Sequence, residues 1–165
     1  MGMAVTFLRV SKNELKECIE NSELLEERVF NDEIDDDDNF LDIDKSWDGI
    51  SFLLTGSGAG AASGELSNII FSGKLVDEEQ DMGMGPAHYV DSDEVKSLND
   101  KISKLEVEEL REKFDTGKMT RLGIYPDIWE EGEEEFSYLI HYFKQLQAFY
   151  QKAVNENQAI ISMIG

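Results

Sequence analysis

Apolar positions along the chain change their spacing several times, and each change marks an element. Val5, Phe7 and Leu8 within residues 3–10 form the compact apolar run of a first strand. Ser11 then stands as a helix N-cap with Glu14 three positions on, the spacing of a capping box, and Leu15, Cys18 and Ile19 supply the apolar stripe behind it. Helical spacing resumes at Leu24, Leu25 and Val29 after a break near Asn21 and Ser22. Residues 32–38 are mostly acidic, have almost nothing to bury, and read as a solvated loop. Trp47, Ile50, Leu53 and Leu54 share one helical face, so residues 45–55 are predicted as a buried helix with one polar end, terminated by Gly56. A loop of Gly, Ala and Ser without periodicity runs on to Gly64.

Residues 67–76 read as helix or strand, residues 81–86 as a turn, and residues 87–90 as a short strand. Asp91 and Glu94 form a second capping box ahead of Val95, Leu98, Ile102 and Leu105, an amphipathic helix. Val107, Leu110 and Phe114 mark another, ending near Gly117, with residues 119–125 as a loop and Pro126 keeping Tyr125 out of helix. Glu133, Glu134 and Glu135 suit a helix N-terminus. Beyond them Phe136, Leu139, Ile140, Phe143 and Tyr150 form one stripe, and Tyr138, Tyr142, Leu146, Phe149 and Ala153 a second. A helix apolar on two faces belongs at the centre of a fold. Residues 158–164 are a last, isoleucine-rich strand. The predicted architecture is α+β, one domain over residues 1–165. It has a small mixed or antiparallel sheet whose N- and C-terminal strands pair, packed on several helices including a long aromatic-rich C-terminal one.

Composition adds limits. At 165 residues with 41% hydrophobic positions the chain can bury a real core despite its charge. No apolar run is long enough to span a bilayer, and residues 1–10 lack the charged region and cleavage site of a signal peptide. The one cysteine, Cys18, has no internal disulfide partner and lies at a helical core position as a buried thiol, which points to a reducing cytoplasm. Acids outnumber bases 36 to 15, a net charge of −21. Nucleic acid and anionic membrane are excluded as partners, since both require cationic neutralisation. Residues 1–82 hold 20 acids and 6 bases, so the first half carries the larger share. Such a charge serves solubility, or it steers in a basic protein partner.

The familiar chemical motifs fail at named positions. Asp44, Ser46, Asp48 and Gly49 match the start of an EF-hand loop, but Thr55 stands where the bidentate glutamate must be. Gly56, Gly58 and Gly60 lack the Gly-Lys-Ser/Thr ending of a P-loop and the spacing of a dinucleotide fold. Adjacent carboxylates at Asp35–Asp38 are not a preorganised cation site. Zinc has only Cys18, His88 and His141 to draw on, and no nucleophile elbow is present. No metal or cofactor is implied. A cleft lined by Asp44, Lys45, Trp47, Asp48, His88 and Tyr89 remains as a candidate for ligand binding or general acid–base work. Asp44 and Asp48, four apart, would share a helix face, and the short strand would bring in an imidazole. The plainer alternative makes Asp44 the helix cap, Asp48 solvated or paired with Lys45, and Trp47 a core residue. Likewise, Tyr125, Pro126, Asp127, Ile128 and Trp129 form either a loop closing over a pocket or a hydrophobic plug beneath a turn.

Four runs in order, Ile43-Asp-Lys-Ser-Trp-Asp-Gly-Ile with Phe52-Leu-Leu-Thr-Gly, Gly85-Pro-Ala-His-Tyr-Val, Ile124-Tyr-Pro-Asp-Ile-Trp and the aromatic stretch 142–150, resemble the YfbM-like family of small bacterial proteins. The resemblance covers essentially the whole chain. It implies an α+β cytoplasmic domain and carries over no catalytic residues. Residues 32–39 are more acidic, and residues 56–64 richer in glycine, than the family leads one to expect. The sequence itself assigns no activity. Two readings follow: a non-enzymatic protein binding a basic partner through an acidic surface, immunity-like or regulatory; or a small-molecule binder or enzyme with its cleft near Asp44, Trp47, Asp48 and His88.

Overall fold

The structure is a computed structural model that describes residues 2–130 and 132–165. Four strands form one antiparallel sheet in the order β2-β1-β4-β3, with β1 Val5–Val10, β2 Phe40–Asp42, β3 His88–Val90 and β4 Ala159–Ile164. The terminal strands pair along their whole length, from Val5 opposite Ile164 to Val10 opposite Ala159, as their apolar content predicts. Backbone bonds between Ala4 and Gly165, 2.8 and 3.0 Å, close the ends.

Both faces of the sheet are buried. Strand alternation sends Val5, Phe7, Val90 and Ile160 to one face and Leu8, Val10, Ala159, Ile161 and Met163 to the other. Helices α1 Lys12–Glu20 and α2 Glu23–Val29 cover the second face, anchored by Leu15, Cys18 and Leu25. The first face carries the thicker layer: α3 Trp47–Thr55, α4 Ser92–Ile102, α5 Val107–Lys113, α6 Thr116–Arg121 and α7 Glu133–Asn155. The fold class is therefore α+β as the pattern predicts. The aromatic helix α7 is central to it, burying Phe136, Leu139, Ile140, Phe143, Leu146, Phe149, Tyr150 and Ala153.

Caps fall where the side chains dictate. Ser11 accepts from the Glu14 N–H at 3.1 Å, and Asp91 and Glu94 form both halves of a capping box. Gly56 ends α3 at φ 82°, a conformation only glycine adopts without strain. Two expectations change and one element is new. Residues 40–42 form an edge strand too short to show a period. Residues 65–69 form a 3₁₀ turn, and a β-bridge then joins Leu75 to His88. The helix expected to end near Gly117 ends at Lys113, and Gly117 lies inside α6, which occupies part of the expected loop. That helix is held by an Asp115 cap at 3.0 Å and by one buried anchor, Met119, so it leaves no stripe.

Candidate functional site

The residues singled out at 44–48 sit on a 3₁₀ turn, Asp44–Ser46, that runs straight into α3. Asp44 is left-handed at φ 52°, and its N–H is held by Asp42 Oδ1 at 2.7 Å. It does not cap α3. The Tyr138 hydroxyl donates to Asp44 Oδ2 at 2.8 Å and accepts from the Lys45 N–H at 3.1 Å, which ties the turn to α7. Burial, then the bond to the carboxylate, pushes the Tyr138 phenol well above its ordinary range.

Asp48 points elsewhere. It is 8% exposed, and accepts from the Ala59 N–H at 2.6 Å and from the Tyr125 N–H at 2.8 Å. Asp44 and Asp48 thus do not share a face, because the left-handed residue and the 3₁₀ turn offset the first from the second. Among the described residues Asp48 has no ion pair with Lys45; it is neither solvated nor paired. Instead one buried carboxylate fastens the glycine loop and the 124–129 segment to α3. A side chain at Gly58 would crowd this clamp, since a Cβ on it would stand 2.9 Å from Asp48 Oδ1.

Trp47 is core, as the plainer alternative holds. Its ring stacks on Tyr125 at 5.4 Å and its Nε1 donates to the Met3 carbonyl at 2.9 Å, while the Met3 N–H donates to the Tyr125 hydroxyl at 2.7 Å. Trp129 is 5% exposed and donates to the Ile124 carbonyl at 2.7 Å, so the 124–129 segment is a plug rather than a lid.

His88 reaches this segment only through rings: 5.0 Å to Phe71, then 5.9 Å from Phe71 to Trp47. Its Nδ1 accepts from the Gly73 N–H at 3.1 Å, which fits a neutral imidazole, and burial lowers its pKa. Tyr89, the next residue in β3, packs on the opposite face of the sheet with Lys74 over its ring at 4.9 Å. The strand's alternation therefore separates two side chains that the sequence grouped in one cleft. Five cavities of about 370, 400, 330, 280 and 110 Å³ open on the described residues, and none of the five is lined by Asp44, Lys45, Trp47, Asp48, His88 or Tyr89. The partners that complete the cluster, Met3, Ala59, Phe71, Tyr125 and Tyr138, come from five separate segments. Tyr125, by its place before Pro126, and Tyr138, by its place in the second stripe of α7, carried sequence signals, but neither pointed to these partners.

A different region stands out electrostatically. Residues 11–40 contain twelve acids and three bases, and residues 77–81 add four acids. The two segments are joined: Ser22 donates to Asp77 at 2.6 Å, and Gln80 donates to the Ser22 carbonyl at 2.7 Å and to Glu26 at 2.9 Å. The layer over the second face of the sheet thus holds −13 of the chain's −21. Ile19, Leu24 and Phe30, exposed by 42%, 39% and 64%, lie in this layer. Where the acidic loop turns toward the sheet, Asp37 accepts from the Asn39 N–H at 2.8 Å and pairs with Arg28 at 2.5 Å, and these contacts hold its pKa below the ordinary value. Among the described residues no group of three or more His, Cys, Asp or Glu is placed to hold a metal ion, and no helix is long and apolar enough to cross a membrane.

Comparison with known proteins gives one consistent picture. The sequence model of a family described as "Domain of unknown function (DUF1877)" matches residues 1–163. Protein YfbM of Escherichia coli (strain K12) is 25% identical over 174 residues, with the whole of both chains covered. The crystal structure of that protein of unknown function YfbM from Escherichia coli superposes with a TM-score of 0.78 at 19% identity, covering 98% of this chain and 99% of the other, a likeness of fold.

Proposed function

The chain belongs to the DUF1877 family of YfbM-like proteins, and on that premise we propose that it is a single-domain, non-enzymatic protein of a bacterial cytoplasm that binds a basic protein partner through the layer built from α1, α2 and residues 30–38 and 77–81. The observation that carries this reading is the coincidence, in one layer, of sixteen acids against three bases with three exposed large apolar side chains. An acidic field steers a cationic partner into encounter and rejects anionic ones. Exposed apolar groups with a charged rim give the contact its short-range component, which charge alone does not. An immunity-like or regulatory role, in which a basic toxin or effector is neutralised, fits this chemistry.

The test is affinity capture at low salt from the source cells with two proteins: the native chain, and a variant carrying Phe30→Asp with Glu20, Glu23 and Glu27 changed to Lys. All four positions are solvent-exposed, so the fold is kept. The reading expects the native chain to retain a basic protein, the variant to lose it, and about 0.5 M salt to release it, since screening then acts within ~5 Å. Retention of no basic protein, or equal retention by both, sinks the proposal.

A further inference from the structure

The acidic loop meets the sheet at β2, and the groove there has features that the charge of the layer does not explain. A cavity of about 330 Å³ runs between residues 35–41 and α7, lined by Asp35–Asp38, Leu41, Ala148 and Phe149, with two bases, Arg9 and Lys152, against the four acids. Arg9 is 5% exposed. Its Nη2 donates to the Asp38 carbonyl at 2.7 Å, and its guanidinium lies 4.8 Å from the Phe149 ring centre. Its Nε, however, is buried without a hydrogen-bond partner. A buried donor left without an acceptor costs about 1–3 kcal/mol. The atom has almost no accessible surface, so an acceptor delivered at the groove floor removes that cost once the guanidinium turns toward it.

The second feature is β2 itself, an edge strand. The Arg9 N–H donates to the Asn39 carbonyl and the Ile43 N–H to the Val5 carbonyl, so residues 39, 41 and 43 turn their backbone groups toward β1. Phe40 and Asp42 turn theirs outward. The Phe40 N–H is taken by the Asp37 carbonyl at 3.0 Å, which leaves the Phe40 carbonyl and the Asp42 N–H facing away from the sheet. That is the template to which an extended segment adds as a fifth strand.

We infer that an extended basic peptide segment of the partner docks against the outer edge of β2, with a main-chain carbonyl toward Arg9, alternate apolar side chains in the groove and alternate Lys or Arg side chains on the acidic loop. Charge complementarity selects this occupant. A second copy of this chain would bring another −21 against the same edge. A free anion would meet Asp35 and Asp36 at the entrance. A peptide carbonyl supplies an acceptor without a charge. The inference rests on the partner-binding reading above and names its mode.

The experiment measures binding by fluorescence anisotropy at low ionic strength, using an end-blocked nonapeptide of alternating Lys and Val. A second peptide of identical charge carries N-methyl groups on every backbone amide, which blocks both of its edges for strand pairing without touching the protein. Ala148→Trp, at an exposed position on the groove wall, fills the groove from outside. The inference expects at least tenfold weaker binding for the N-methylated peptide and for Ala148→Trp, with the Asp42 amide resonance shifting on titration of the native pair. Equal binding of both peptides, or no effect of Ala148→Trp in a variant that keeps the native circular dichroism, overturns strand addition and leaves the acidic layer standing as a charge surface. Failure of both peptides to bind overturns both readings.

Discussion

Replacing Asp48 with Ala tests the account of the 44–64 segment most directly. The change removes the acceptor for the Ala59 and Tyr125 N–H groups, held at 2.6 and 2.8 Å. Hydrogen bonds to an ionised carboxylate contribute about 1.5–3 kcal/mol each when fully buried. Ala59 and Tyr125 are half-buried, so water replaces part of what is lost. Relief of the carboxylate's own desolvation offsets a further part. The expected destabilisation is about 2–4 kcal/mol, or about 5–15 °C in Tm for a chain of this size. Asp48→Asn keeps one acceptor and turns an amide N–H toward the other donor, so it is expected to lose about half as much. Urea unfolding followed by tryptophan fluorescence reports the effect well, because Trp47 stacks on Tyr125 and Trp129 bonds to Ile124. The slope against urea should stay unchanged. Hydrogen exchange at the Ala59 and Tyr125 amides should accelerate more than at β1. A ΔΔG under about 0.5 kcal/mol for Asp48→Ala, in the range of ordinary surface substitutions, would refute the clamp and return Asp48 to the list of groups free for chemistry.

Three further outcomes follow from the same geometry. Gly49→Ala places a Cβ 2.6 Å from Leu139 Cδ2 and 2.9 Å from the Trp129 ring, between two buried side chains, and should cost about 1–3 kcal/mol in urea unfolding. Tyr138→Phe removes the bonds to Asp44 and Lys45 and should cost about 1–2 kcal/mol; in alkaline absorbance titration the variant should show one fewer phenol ionising above the ordinary range, Tyr142 and Tyr150 remaining. Burial lowers the His88 pKa below 6.5, so the unfolded chain binds this proton more tightly than the folded one. The stability it contributes is present above pH 6.5 and is lost as pH falls through the folded-state value. Urea midpoints between about pH 7.5 and 5 should therefore fall less steeply for His88→Gln than for the native protein.

The terminal strands, the capped helices α1 and α4 and the two-faced helix α7 were legible in the sequence because each rests on local chemistry: a period, a cap, or a run of isoleucines. The partners of the 44–48 turn were not. Asp48 is satisfied by N–H groups eleven and 77 residues away, and no local pattern encodes an acceptor's distant donors. Asp44 escaped the helical reading because its left-handed backbone depends on Asp42 and Tyr138 rather than on its own spacing. The grouping of His88 with Tyr89 failed by the simplest rule of a strand: adjacent side chains face opposite ways. Likewise β2 and α6 each bury too little to show a period; they are placed by pairing with β1 and by the core contacts of Met119.

Three of the four runs that carry the family resemblance meet at one joint. Trp47 stacks on Tyr125, Asp48 holds the Tyr125 amide, and Phe71 links Trp47 to His88. These residues satisfy one another, so likeness among them reports a shared way of closing the fold. It does not report a shared activity. The acidic layer is different in kind. Its acids are mostly exposed, and no packing requirement dictates that twelve of the fifteen charged residues in 11–40 be acidic. Solubility requires net charge, which any distribution supplies. It requires neither the gathering of sixteen acids on one side of a sheet nor exposed Ile19, Leu24 and Phe30 among them. Substitutions in the joint should therefore act on stability wherever they are made. Substitutions of the layer's unpaired exposed acids and exposed apolar side chains should leave stability nearly unchanged and act on binding.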